Sequence, residues 1–326
     1  MSDLPEHQNA IALDEFGGPE RLTLHQISVP EPRDDEVLIR VHTAGIGVWD
    51  PSEREGGMAE LMDEKPTFPY VLGSDGSGVV ARVGDDVDVF SEGDAVWASH
   101  FLNPRGGFYS EYVPVKAEYA APLPDGLSMT EAGAMPADAV TAYRGLRDTL
   151  ELEEGETVAV FGASGGVGHL AVQLARRLGA RVLAVASGND GRDLARELGA
   201  DEAVRGRAHE LEEPLARNAP NGLDAALICA HGEGIEDVLS AVRRGGRIAW
   251  PNGVRPEPEV PAGVSGASYD GAPEREILDE LTELIGSDPF RVVVDERFPL
   301  ADAAEAHRRL DDHYLGKLTL AVEAES

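Results

Sequence analysis

Hydrophobic positions change their period along the chain, and the changes divide it into parts. Residues 10–125 read as β-rich. In EVLIRVHTAGI, Val37, Ile39 and Val41 alternate with Leu38, Arg40 and His42, which predicts a strand with one more polar face. GSGVVARVG, DAVWAS and FYSEYVPV read as further short strands, and Gly84-Asp85-Asp86 and Glu92-Gly93-Asp94 read as turns. Strands this closely spaced predict a small, partly open barrel. From Leu127 the pattern turns helical: Ser128-Met129-Thr130-Glu131 resembles a capping box, and residues 132–147 are helix-rich around Pro136.

Residues 158–187 then organise the rest. Val158-Ala159-Val160-Phe161 is an apolar run fit for a buried parallel strand. The turn Gly162-Ala163-Ser164-Gly165-Gly166-Val167-Gly168 follows directly, and Val167, Leu170, Ala171, Leu174 and Leu178 recur at helical spacing. Gly179 closes that helix, and Val182–Val185 open a second strand. Beyond it ARELGADEAV, GLDAALICA and IEDVLSAVRRGGRIAWPNG continue the strand–helix alternation of a doubly wound parallel sheet. Residues 275–285 read as a helix, RVVVDERFPL as a strand, residues 301–310 as a helix and 317–322 as a last strand. The Pro- and Gly-rich segment 251–273 reads as a loop, a candidate mobile flap.

The glycine turn carries the chemistry. Glycines let backbone approach a diphosphate closely, and the N–H groups at a helix start favour its charge. The spacing is GxxGxxG rather than GxGxxG, so the string alone is a loose pattern; its place between strand and helix gives it weight. At 326 residues the chain is long enough for two cores. Residues 1–9 lack a basic and an apolar region, so no secretory signal is expected, and no run of about 18 apolar residues predicts a membrane span. Cys229 is the single cysteine, which excludes an internal disulfide and a four-cysteine zinc site. A cytoplasmic protein is expected.

Net charge is −32, from 60 acidic against 28 basic residues, and only Lys65, Lys116 and Lys317 are lysine. The acid is spread along the chain. Such a surface repels nucleic acid and anionic membranes and needs salt to screen its self-repulsion, as in halophilic proteins.

The segments FPYVLGSDGSGVVARVG, GDAVWAS, GFYSEYVPV, TAYRGL, GETVAVFGASGGVGHLAVQLARRLGA, FPLADAAEAHRRL and GKLTL occur in the order found in the medium-chain dehydrogenase/reductase superfamily. The chain resembles its zinc-independent NADPH:quinone oxidoreductase branch. The resemblance implies an α/β fold: a GroES-like barrel domain over 1–126 and 288–326, and a Rossmann dinucleotide-binding domain over 127–287. It also implies a ligand cleft between the domains and a homodimer. In zinc-using relatives a cysteine stands where this chain has Gly47, and a His-Glu pair follows the glycine matching Gly73. Here the pair is Ser74-Asp75, so no zinc is expected.

Without a Lewis acid the acceptor needs its own activation, as in a quinone or an α,β-unsaturated carbonyl. NADPH is favoured over NADH: Ser187 and Asn189 can donate to a 2′-phosphate, and Arg192 or Arg205 can supply charge. Yet Gly191 stands where the family often has lysine, and Arg192 also reads as a surface residue balanced by nearby acids such as Glu197. Thr141 matches a position near the nicotinamide ribose. Cys229, Ala230, Pro251 and Asn252 end the fourth and fifth strands, whose carboxyl ends line the crevice in this fold; Cys229 also reads as a small buried residue. Asp50, Trp49 and Tyr269 are the catalytic candidates. Asp50 is weighed against a helix cap in Asp50-Pro51-Ser52-Glu53, Trp49 against a core aromatic, and Tyr269 sits in the expected flap. His100 is a further candidate, while Tyr70, Tyr109 and Tyr112 read as core aromatics with a hydroxyl partner. Alternatives are a zinc-free alcohol or aldehyde dehydrogenase, an enoyl-thioester reductase, or a non-catalytic NADPH-binding sensor.

Overall fold

The computed structural model describes residues 4–62 and 66–322; Lys65 and the first three residues of the amino-terminal segment lie outside them. The chain divides into two compact units, one from 1–137 with 273–326 and one from 138–272.

The first unit is built on sheets. His7–Leu13 pairs with Thr23–Ser28 and Tyr70–Val71 in an antiparallel three-stranded sheet. A seven-stranded sheet is centred on Glu36–Ile46, the strand foreseen in EVLIRVHTAGI. Asp75–Val83 and Tyr112–Lys116 flank it antiparallel, and Ala95–Ser99 extends it beyond Asp75–Val83. Chain end returns here: Lys317–Ala321 pairs with residues 43–46 of the central strand, and Val294–Pro299 lies parallel beyond it. Ile11, Leu13, Ile39, Leu72, Trp97 and Phe108 are fully buried. The polar face expected on the central strand is confined to Arg40 and His42, because Leu38 is buried with its neighbours.

The helix Met129–Ala134 begins with the capping box read from the sequence. Glu131 N–H donates to Ser128 Oγ (3.2 Å) and Ser128 N–H to Glu131 Oε2 (3.0 Å). Ser128→Ala should therefore lower stability by about 1 kcal/mol, measured by denaturant unfolding, with Ser128→Asn closer to wild type. Pro136 starts a separate helix, Pro136–Arg144, which relaxes into a π-type turn at Gly145–Thr149.

The second unit holds six parallel strands: Thr157–Phe161, Arg181–Ala186, Glu202–Arg205, Leu223–Ile228, Val242–Pro251 and Ser265–Tyr269. Counted in chain order they lie 3-2-1-4-5-6, the doubly wound arrangement with its switch point beside the first strand. The two strands around that point are almost wholly buried, as a sheet covered on both faces requires.

One expectation is corrected here, and one element is added. Segment 251–273 is not a continuous flap, since Ser265–Tyr269 forms the sixth strand. Its residues are mostly exposed at the sheet edge, so no apolar alternation announced it. The helix Ala208–Asn218, with Pro214 inside it, was not foreseen either. No helix among the described residues is long and apolar enough to cross a membrane.

Candidate functional site

The glycine turn in the second unit is shaped by contacts only glycine permits. Gly162 has φ +84°, and a Cβ on it would stand 2.9 Å from Ala230 Cβ, so the end of the fourth strand packs on the turn. A Cβ on Gly168 would lie 2.0 Å from Gly162 O, which places helix Gly166–Arg177 directly against the first strand's exit. The amides of Gly162 and Ala163 are spent on Val185 O (2.9 and 3.0 Å). Gly165, extended at φ −85°, is the N-cap and offers no side-chain bond, so the first helical N–H groups have no intrahelical or capping partner. Above Gly165 lies open space: its Cβ would meet only Gly162 O, at 3.7 Å. His169, unnoticed in the sequence, is fully buried and brings Nδ1 to 2.9 Å from Gly165 O. Open backbone amides at a helix start, with room before them, fit a diphosphate.

The residues expected to receive the adenosine end of a coenzyme are partly engaged in ion pairs. Arg205 lies in register beside Ala186, the last residue of the second strand, where a ribose 2′ substituent is read in this fold. Its guanidinium holds Glu210 through Nε (2.8 Å) and Nη2. Arg192 pairs with Asp193 at 2.8 Å rather than with Glu197. Ser187 and Asn189 are exposed. A Cβ on Gly191 would be 2.7 Å from Ser164 Cβ, so the helix Asn189–Glu197 packs tightly on the glycine turn at that point.

Other candidates spread along the strand ends. Thr141 packs against Gly271, whose Cβ would lie 2.1 Å from Thr141 Oγ1. Asn252 N–H donates to Tyr269 O (2.8 Å), tying Pro251 and Asn252 to the sixth strand. Cys229 keeps part of its residue surface exposed, but desolvation and the nearby Asp138 push its thiol up to about 12. It is therefore a neutral thiol rather than a nucleophile. Tyr269 has its hydroxyl buried without a hydrogen-bond partner, packed where a Cβ on Gly145 would be 2.2 Å away, and burial raises its pKa. It does not sit on a flap.

The first unit contains a buried polar chain that the sequence did not announce. Asp50 was weighed as a helix cap; the structure corrects this. Trp49 is the N-cap of helix Asp50–Arg54, and Asp50 is its first residue, 1% exposed. Asp50 Oδ2 accepts from Tyr109 Oη (2.7 Å) and from Gly47 N–H (2.9 Å). Tyr109 Oη lies 3.1 Å from His307 Nε2, and Arg54 Nη1 donates to His307 Nδ1 at 3.0 Å. Arginine cannot accept, so Nδ1 must, and the imidazole proton sits on Nε2. The chain therefore runs one way, from Arg54 through His307 and Tyr109 to Asp50. Burial, then the Arg54 charge, pull His307 down to about 3 and keep it neutral.

Asp50 is pushed up to about 7 by burial first and the neighbouring Glu53 second, against the stabilising bonds from Tyr109 and Gly47 and the charge of Lys317. Glu53 accepts from Tyr70 Oη (2.5 Å) and is likewise raised to about 7 by burial. Asp50 Oδ1 and Glu53 Oε2 are both buried without a hydrogen-bond partner. Two buried carboxyls in Coulombic reach of each other titrate as a pair. Tyr70 and Tyr109 are buried aromatics with hydroxyl partners, as expected, although Tyr109 lies outside the strand that includes Tyr112.

Trp49 is partly exposed. Its Nε1 donates to Ser74 Oγ (3.1 Å), and its ring fills the space beside Gly47, where a Cβ would lie 2.2 Å from Trp49 Cε2. His100 packs edge-on against Tyr119 at 5.0 Å, and burial, then Lys116, lower it to about 4.

Comparison with known proteins accounts for both units. Residues 33–125 match the alcohol dehydrogenase GroES-like domain, and residues 166–261 match the family described as zinc-binding dehydrogenase. Human quinone oxidoreductase is 34% identical over 73% of this chain and 71% of its own. A solved NAD-dependent alcohol dehydrogenase superposes with TM-score 0.84 at 31% identity, covering 97% of this chain and all of that one. Escherichia coli quinone oxidoreductase, solved with NADPH, gives TM-score 0.81 at 26% identity over 96% and 99% of the two chains. The chain belongs to the medium-chain dehydrogenase/reductase superfamily, in its quinone oxidoreductase-like branch, and is an oxidoreductase.

Proposed function

We propose that the protein is an NADPH-dependent reductase of quinones or α,β-unsaturated carbonyls that works without zinc. The observation that carries this reading is the uncapped helix start at Gly165, with open space before it and Gly162 and Gly168 packed too tightly for any side chain. The human quinone oxidoreductase and the NADPH-bound bacterial enzyme support the choice of acceptor and coenzyme. Amides at residues 166–168 would hold the diphosphate, since the Gly165 N–H is bonded to Gly162 O at 3.1 Å. Ser187, Asn189 and Arg205 would receive the 2′-phosphate, which must compete with Glu210 for the guanidinium. NADPH supplies the hydride when bound, ending as NADP⁺. Asp50, next to Trp49 in the chain, holds a proton near neutrality, the second requirement for turning a quinone into a hydroquinone.

A zinc ion does not fit the residues present. The Trp49 ring takes the volume that a cysteine at position 47 would need, and no group of His, Cys, Asp or Glu among the described residues converges to hold a metal. Molar salt belongs to the same reading, because a net charge of −32 resists compaction until it is screened.

The test is NADPH oxidation in molar KCl with a panel of quinones, enones, aldehydes and alcohols. Coenzyme binding is followed separately by calorimetry. Turnover of quinones or enones, unchanged by EDTA, is expected. Activity lost to EDTA and restored by zinc would end the zinc-free assignment. Turnover confined to alcohols with NAD would favour the function named for the alcohol dehydrogenase neighbour. Binding without turnover would mark a sensor. Circular dichroism in dilute buffer should show loss of structure that KCl restores; full folding there would end the salt assignment.

A further inference from the structure

The indole of Trp49 is held from several sides although part of it faces solvent. Ser74 Oγ takes its N–H at 3.1 Å, Gly47 leaves the space its six-membered ring fills, and Lys317 Nζ stands 5.4 Å from the ring. Phe101 meets it edge-on, with centroids 6.4 Å apart and planes at 80°. Gly47 is itself anchored, since its N–H donates to the buried Asp50. Around this fixed ring the surface is apolar: Val48 is 73% and Phe101 44% exposed. Large apolar side chains left in water beside a locked aromatic need an occupant, and the geometry selects its shape. A rigid indole with a perpendicular phenyl beside it forms an aromatic corner, which a flat π system fills by stacking on one ring and meeting the face or edge of the other. An open-chain molecule gains less there. Lys317 is buried, so its charge is little screened and favours an occupant that becomes electron-rich on reduction.

We infer that Trp49 and Phe101 form the platform for the acceptor's conjugated ring, so that the enzyme selects ring quinones over open-chain enones. The inference rests on the reductase reading above and narrows its substrate class.

Two measurements separate the failure of one from the failure of the other. The first is binding without coenzyme: 1,4-naphthoquinone is titrated in molar KCl while tryptophan emission is recorded. Trp97 and Trp250 are buried, so saturable quenching reports Trp49. It should be present in wild type and absent in Trp49→Leu, and kept with Trp97 and Trp250 as the only indoles it overturns the inference. Purely linear, collisional quenching in wild type overturns it as well, whether or not any variant folds. The second is selectivity: the ratio of kcat/KM for 1,4-naphthoquinone to that for trans-2-hexenal. Trp49→Leu should lower this ratio about tenfold through the quinone KM, and Trp49→Phe should restore most of it. A ratio within threefold of wild type in Trp49→Leu overturns the inference. If wild type reduces neither acceptor, the reductase reading falls, while the quenching titration still decides what the corner binds.

Discussion

Alanine at Gly168 should cost the second unit its folded turn, whereas alanine at Gly165, three residues earlier, should cost only the coenzyme. At Gly168 the added methyl would stand 2.0 Å from Gly162 O, 2.7 Å from Gly162 C and 2.8 Å from Ala163 Cα. All three are backbone atoms of the strand exit, so no rotamer can relieve the clash, and the helix must move off the sheet. A loss of about 3 kcal/mol or more is expected, read as an earlier denaturant midpoint. At Gly165 the methyl meets nothing nearer than 3.7 Å and the backbone, at φ −85°, suits alanine. Stability should fall by less than about 1 kcal/mol. The methyl would instead occupy the space a diphosphate needs to reach the open amides. NADPH affinity should then drop about tenfold to a hundredfold, the equivalent of one or two charge-assisted hydrogen bonds. Unchanged calorimetric binding in Gly165→Ala would remove the glycine turn from the coenzyme site.

Asp50→Asn should reverse sign in its effect on stability as pH rises. In the native chain Asp50 keeps its proton up to about 7, while the unfolded chain gives it up near 3.8. Between those values the native state holds a proton the unfolded state lacks, so wild type loses stability as pH climbs through this window. The full swing is on the order of 4 kcal/mol. Asparagine does not titrate. The variant should therefore gain on wild type from pH 4 to pH 8, and a flat difference would show that Asp50 is already ionised at acid pH. The comparison has to be made between variant and wild type because the histidines oppose it. His307 and His100, lowered to about 3 and about 4, stay neutral in the fold and lose stability for it as pH falls below the ordinary imidazole value near 6.5. Across much of the same window the two carboxyls and the two histidines offset one another.

These two sites were unequally legible in the sequence. The glycine turn is largely local: strand, turn and helix are consecutive, and Gly168 is demanded by Gly162 and Ala163 a few residues before it, although Ala230, which presses on Gly162, comes from the end of the fourth strand. Ser128 and Glu131 declared their capping box for the same reason. Asp50 is the opposite case. Read locally, Asp-Pro-Ser-Glu is a helix start, but its carboxylate is claimed by Tyr109, 59 positions away, and Tyr109 touches His307 another 198 positions on. Nothing in the residues around Glu53 and Arg54 marks them as buried, since both are types normally found in water. Ser265–Tyr269 was missed because an exposed edge strand has no apolar face to display. Trp49 was singled out, but the three contacts that immobilise it come from Gly47, Ser74 and Lys317, which only the fold collects.

The strand Lys317–Ala321 lies between Glu36–Ile46 and Val294–Pro299, so a central strand waits for a partner synthesised long after it. Residues 138–272 form one continuous stretch and can fold while the ribosome is still translating the remainder. Until Ala321 emerges, the nascent chain exposes the open edge of residues 43–46. A premature stop after residue 310 should therefore yield a polypeptide whose unit 138–272 is sound and whose other unit is prey to proteases and aggregation.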